Sequence, residues 1–201
     1  MPAYLVTGNP GSGKSSVAQE FALRGLPAID PDHDPELSYW EDAAGARVLL
    51  VDGPPDPDQE WLRSHRWVWN RARMKQRLAE YDGSVFVCGI ALNIDQFLGV
   101  FERIFLLQID AVTQEARLTA HDAAHPPGRG EAGRQEIRDG RTALEREMLT
   151  LGAVAIDGTS PTVVVVDEIL AAVYWRLSHV PMIATPPAPM RRLSARTRLT
   201  R

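Results

Sequence analysis

Apolar and polar positions alternate along this chain in short blocks punctuated by glycine and proline, and the blocks predict a strand–helix alternation. Ala3 to Thr7 is an apolar run of the kind found in a strand buried on both faces. Residues 16–24 follow a helical period, with Val17 and Phe21 one turn apart and Gly25 placed to end the helix. Pro27 to Ile29 reads as a short second strand, residues 36–40 as one helical turn and residues 42–46 as a turn. Residues 60–80 read as a helix with Trp67, Arg71, Met74 and Leu78 on one face. Two runs compete for the third strand, Val48 to Val51 and Val85 to Cys88. The second follows a helix, as a parallel crossover requires, so it is placed at the centre and the first becomes a hairpin arm ending at Asp52; the other assignment makes Asp52 a Walker B acid that holds magnesium through water. Further along come a helix over 93–101, a fourth strand over 103–109 and a helix over 113–120 capped by Thr113. A break over 121–133 precedes a long helix over 134–151, a fifth strand over 153–156 and a last helix over 162–177. Residues 178–201 are rich in proline and arginine and are predicted to be a disordered basic tail.

The alternation places the chain in the α/β class, with a parallel sheet between helices. Its 201 residues allow one domain with a full core. A net charge of −4 argues against a nucleic-acid partner. The single cysteine, Cys88, excludes an internal disulfide and fits a reducing cytoplasm. No apolar run approaches the length of a membrane span, and the first strand begins too early to leave room for a signal peptide.

The candidate chemistry starts at the first strand–helix junction. Gly8, Asn9, Pro10, Gly11, Ser12, Gly13, Lys14, Ser15 and Ser16 contain the spacing G-x-x-x-x-G-K-[ST] of a phosphate-binding loop. Glycines let successive amide N–H groups curl inward around an anion, and the helix start adds its positive end. Lys14 then meets the β- and γ-phosphates of a nucleotide and the Ser15 hydroxyl meets Mg²⁺. Beyond the second strand lie Asp30, Asp32 and Asp34, at a strand end where open α/β sheets bind ligands. They either hold metal and orient a hydroxyl or simply cap a proline-rich loop. Four of the five tryptophans, Trp40, Trp61, Trp67 and Trp69, fall in one stretch with Arg63 and Arg66. These residues either line an acceptor pocket or pack a core and coat a solvated face.

The run Gly8-x-x-Gly11-x-Gly13-Lys14-Ser15, a helix, and then Ile29-Asp30-Pro31-Asp32 resembles the small P-loop kinases of the shikimate kinase, gluconate kinase and nucleoside/nucleotide kinase group. The resemblance implies a three-layer α/β/α P-loop NTPase fold with parallel sheet order 2-3-1-4-5. It implies a kinase domain over 1–177, with a substrate-binding insertion over 36–82 and a lid over 118–134. By position, Asp30 would support the metal and Asp32 would contact the acceptor hydroxyl. Gly89 would border the substrate, and Arg117, Arg129 or Arg134 would close over the phosphates. Residues 157–161 would pass under the adenine. The implied activity is transfer of the γ-phosphoryl group of ATP, with Mg²⁺, to a hydroxyl compound, a nucleoside among the candidates. Shikimate kinases carry three glycines where this chain has Gly89-Ile90-Ala91, which points away from shikimate. A cytoplasmic monomer or homodimer is expected, without membrane or nucleic-acid partners. Two rival readings stay open: a nucleoside monophosphate kinase gripping its acceptor through Arg63, Arg66 or Arg71, and an ATP-binding regulatory protein that transfers nothing.

Overall fold

A computed structural model describes residues 2–48, 58–124 and 130–177. Its centre is a five-stranded parallel sheet of β1 (Ala3–Thr7), β2 (Ala28–Ile29), β5 (Val85–Cys88), β6 (Arg103–Gln108) and β7 (Val154–Asp157). Spatial order is β2-β5-β1-β6-β7, which is 2-3-1-4-5 when only the strands of this sheet are numbered. Val85 to Cys88 is therefore the third strand of the central sheet, between β2 and β1. In register, Leu5 lies beside Val87 on one side and Ile104 on the other.

Both faces of the sheet are buried. Tyr4, Val6, Phe86, Phe105 and Leu107 pack under α1 (Lys14–Leu23) and α6 (Thr162–Leu177), where Phe21, Val166 and Ile169 meet them. Leu5, Val87 and Leu106 point to the other face, against α3 (Arg71–Ala79), α5 (Gly130–Thr150) and a 3₁₀ segment over Ile94–Val100, through Met74, Met148 and Phe97. Burial on both faces explains why the strands read as continuous apolar runs rather than as alternating ones. The result is a three-layer α/β/α fold. Among the described residues no helix is long and apolar enough to cross a membrane.

Three departures from the sequence expectations bear on the site. Residues 36–40 do not form a helical turn. A 3₁₀ turn falls earlier, at Pro31–His33, and Ser38–Asp42 is a strand, β3. Nor is 60–80 one helix: it is α2 (Gln59–Ser64), β4 (His65–Trp69) and α3. β4 pairs antiparallel with β3, Trp40 opposite Trp67 and Glu41 opposite Arg66. His65-Arg66-Trp67-Val68-Trp69 is rich in aromatic and β-branched side chains, which suit a pleated surface once a partner strand is available. Trp67 thus leaves the face shared by Met74 and Leu78. Third, α4 (Ala111–Ala124) is capped by Asp110 rather than Thr113. The Asp110 carboxylate accepts both the Thr113 backbone N–H and its hydroxyl, each at 2.8 Å.

The 93–101 helix is the 3₁₀ segment already named, and α5 begins four residues before Arg134, at Gly130. Residues 49–57 (with Asp52), 125–129 (with Arg129) and the tail 178–201 lie outside the described residues.

Asn93 anchors the hairpin to the core. Its side chain accepts from the Trp69 N–H at 2.9 Å and donates to the Trp69 carbonyl at 3.0 Å, all of it buried. Asn93→Ala strands two buried backbone groups, each costing about 1–3 kcal/mol. Urea unfolding of that variant should show a loss of about 2–4 kcal/mol.

Candidate active site

The cradle is built by backbone geometry. A Cβ on Gly8 would come within 2.7 Å of both the Leu107 carbonyl and the Ser12 hydroxyl, so only glycine lets the strand turn there. Gly13 sits at φ 99°, in the left-handed region, and caps α1. The Ser12 N–H closes the turn on the Asn9 carbonyl at 3.0 Å. Lys14 is buried in the middle, its Nζ donating to the carbonyls of Gly8 at 2.9 Å and Asn9 at 3.3 Å. Ser15 and Ser16 follow in the first turn of α1, so amide N–H groups, an ammonium and a hydroxyl converge at one helix start.

Residues far along the chain hold this loop in place. Gln114, buried on α4, donates to the Pro10 carbonyl at 3.0 Å. Arg117 donates through Nη1 to the carbonyls of Gly158 at 3.0 Å, Gly11 at 3.3 Å and Ser12 at 3.4 Å. Arg117 therefore ties the loop to the turn after β7. On the α5 side, the Asn9 amide reaches Glu145 Oε1 at 3.5 Å and the Arg141 carbonyl at 3.4 Å, and Gln108 donates to Glu145 Oε2 at 3.3 Å. Sequence reading missed Gln114, Arg141 and Glu145. No local motif marks them, because their partners are set only by the packing of α4 and α5 on the sheet.

The acids stand beyond β2, separated from β1 by β5. Asp30 is engaged within its own turn: one oxygen accepts the Asp32 N–H at 3.2 Å and the other meets His33 Nδ1 at 3.0 Å. Asp32 is half-buried and accepts the Trp67 indole N–H at 3.1 Å. Burial lifts the Asp32 pKa above the ordinary carboxylate range, and Asp30 adds to the rise; the Lys14 charge, the Trp67 hydrogen bond and His33 each pull against it. The Cys88 thiol is pushed up mainly by burial, with Asp30 adding and Lys14 opposing. Lys14, Asp30, Asp32 and the end of β5 thus share one electrostatic neighbourhood.

The remaining predicted site residues are spread around the hairpin. The Trp40 ring packs edge to face with Trp67 at 5.4 Å and with Trp61 at 4.8 Å, and Trp61 stacks on His65 at 4.0 Å. Trp69 is core, packed against Phe97. Arg66 is exposed, close to Glu41 at 3.9 Å and to the Leu92 carbonyl at 3.5 Å, and Arg63 is exposed on α2. A Cβ on Gly89 would meet Pro31 and Trp69 at 3.0 Å, so crowding by the protein's own side chains already explains the glycine.

No family model matches the sequence. Solved structures do share the fold. Shikimate kinase from Acinetobacter baumannii in complex with shikimate matches 90% of this chain and 96% of its own, with a TM-score of 0.54 and 18% identity. Deoxyadenosine kinase from M. mycoides with bound dATP matches 87% of this chain and 100% of its own, with a TM-score of 0.54 and 11% identity. Both belong to the kinase group that the loop and the paired aspartates resemble. At these identities the likeness establishes the α/β P-loop fold, and the chemistry must be argued from the chain's own residues.

Proposed function

We propose that the protein is a small-molecule kinase that transfers the γ-phosphoryl group of ATP to a hydroxyl acceptor, with nucleosides the first class to test. One observation carries the reading: a buried ammonium in the cradle after β1 lies within electrostatic reach of a half-buried carboxyl from the end of β2, one strand removed in the same sheet. The cradle amides and Lys14 bind the triphosphate tail and take up charge on the transferring group. Asp32 orients the acceptor hydroxyl and accepts its proton as the new O–P bond forms and the bond to the β–γ bridging oxygen breaks, releasing ADP. Its raised proton affinity suits that task better than an ordinary carboxylate would. Arg117 acts through the loop it holds, and on the family resemblance Arg129 or Arg134 would meet the phosphates.

Mg²⁺ takes few protein ligands and keeps several waters. A donor set of the Ser15 hydroxyl, with Asp30 through water, fits that habit, and the ion would neutralise phosphate charge. Trp40, Trp67, Arg63, Arg66 and the Gly89 edge border the acceptor side in this reading. The relatives point the same way: one is named for deoxyadenosine and the other holds shikimate, and both compounds carry hydroxyl groups. The lone, buried Cys88 suits a cytoplasmic setting.

The test is a thermal-shift screen with ADP and Mg²⁺ present, across deoxyadenosine, deoxycytidine, their monophosphates, shikimate and gluconate. A true acceptor at a hundredfold excess over its Kd should raise Tm by about 5–10 °C. A larger shift from the monophosphates would move the assignment to a nucleoside monophosphate kinase. A response to ATP alone would support a nucleotide-binding regulator.

A further inference from the structure

The tryptophans of the insertion are occupied with one another, and that leaves a different role for Trp67. Trp40 from β3 packs edge to face with Trp61 and Trp67, with interplanar angles of 72° and 62°. Trp61 is in turn covered by His65, nearly parallel at 7°. Such edge-to-face packing stabilises a two-stranded hairpin that would be marginal alone. The backbone at Trp67 is pinned as well, since its carbonyl accepts the Leu92 N–H at 2.8 Å, just beyond β5. A braced ring on a braced strand carries one polar atom, Nε1, and it donates to Asp32 Oδ1 at 3.1 Å across 35 positions of sequence. Among the described residues, Asp32 Oδ2 accepts no hydrogen bond.

We infer that Trp67 is the positioning residue for phosphoryl transfer: its indole N–H fixes one oxygen of Asp32 and leaves the other for the acceptor hydroxyl. The inference rests on the reading of Asp32 as the acid that meets the acceptor. It gives the aromatic hairpin a function apart from stacking on a substrate ring. The hairpin is a rigid bracket between the acceptor side and the sheet, and it sets the line from the acceptor oxygen to the cradle. Displacing a reacting group by about 1 Å can cost on the order of a hundredfold in rate, so one hydrogen bond in this place is enough to matter.

The test pairs a spectroscopic readout with a kinetic one. With ¹⁵N-labelled tryptophan the full chain gives five indole signals, and the one missing in Trp67→Phe is that of Trp67. In Asp32→Ala that signal should move upfield and exchange faster with water, while the other four hold their places and report an intact fold. Trp67→Phe keeps an aromatic ring in the cluster and loses the donor together with part of the ring area. Against the acceptor returned by the thermal-shift panel, its kcat should fall about 10- to 100-fold while the acceptor KM and the Kd for ADP stay within about twofold. A raised acceptor KM with unchanged kcat would overturn the inference in favour of a stacking surface. An indole signal indifferent to Asp32→Ala would overturn the pairing itself and leave the kinase reading standing. If the signal responds but Asp32→Asn turns over like the parent protein, the assignment of the acid has failed, and the positioning role falls with it.

Discussion

Lys14→Ala should all but abolish phosphoryl transfer, lowering kcat on the order of a hundred- to a thousandfold, the scale seen when one preorganised donor to a developing negative charge is removed. The Lys14 ammonium is buried and hydrogen-bonded to the carbonyls of its own loop, the loop proposed to hold the phosphates. Burying a charge is costly unless it is paired, and the Gly8 and Asn9 carbonyls meet this one; on the proposed function a phosphate tail would add to that pairing. Its alanine replacement leaves the cradle amides in place and removes the only side-chain cation that the cradle itself carries. Binding of ADP should weaken while the fold survives, since Gly8 and Gly13 still set the turn. Activity assays, calorimetric titration with ADP and circular dichroism separate these outcomes. A variant that keeps its transfer rate would show that phosphoryl charge is met elsewhere. A second variant, Lys14→Arg, tests geometry at constant charge: the larger guanidinium cannot fit between the Gly8 and Asn9 carbonyls without displacing the loop, so it too should fail.

The parts of this molecule that could be read in advance are those whose cause is local. The loop from Gly8 to Ser15 declares itself because glycines, lysine and serine at fixed spacing are needed within one turn. β1, β5 and β6 declare themselves because burial on both faces demands unbroken apolar runs. Residues 60–69 were illegible for the opposite reason. Their aromatic and basic side chains satisfy a helical period as well as a strand period, and the decision is made by Ser38–Asp42, which lies more than twenty positions away. The two acids were found because they follow a strand, but their inequality was not. Asp30 spends both oxygens on its own turn, whereas Asp32 is met by an indole from β4. Arg117 could be singled out only by its place in the chain, as a candidate lid cation. Its three carbonyl partners, and the parallel role of Gln114, belong to packing between elements that no spacing rule connects.

The inequality of the acids makes Asp32→Asn the second decisive variant. The amide keeps the size of the carboxylate, and its oxygen can still accept the Trp67 indole N–H, so the bracket around the site should persist. Basicity is what disappears. If Asp32 takes the acceptor's proton, kcat should fall about 10²- to 10⁴-fold, the usual contribution of a positioned general base. Nucleotide affinity should hold or tighten slightly, because a negative charge close to Lys14 and to the phosphate tail has been removed. The same substitution at Asp30 should behave differently. Its carboxylate caps a 3₁₀ turn and meets His33 Nδ1, so Asp30→Asn keeps the cap, loses the negative charge, and should lower Mg²⁺ affinity more than the transfer rate at saturating metal. Steady-state rates at saturating acceptor, beside the Kd for ADP measured with and without Mg²⁺, distinguish the two acids. Loss of nucleotide binding in Asp32→Asn would mean that the carboxylate serves the cradle. The base would then have to be sought outside the second strand.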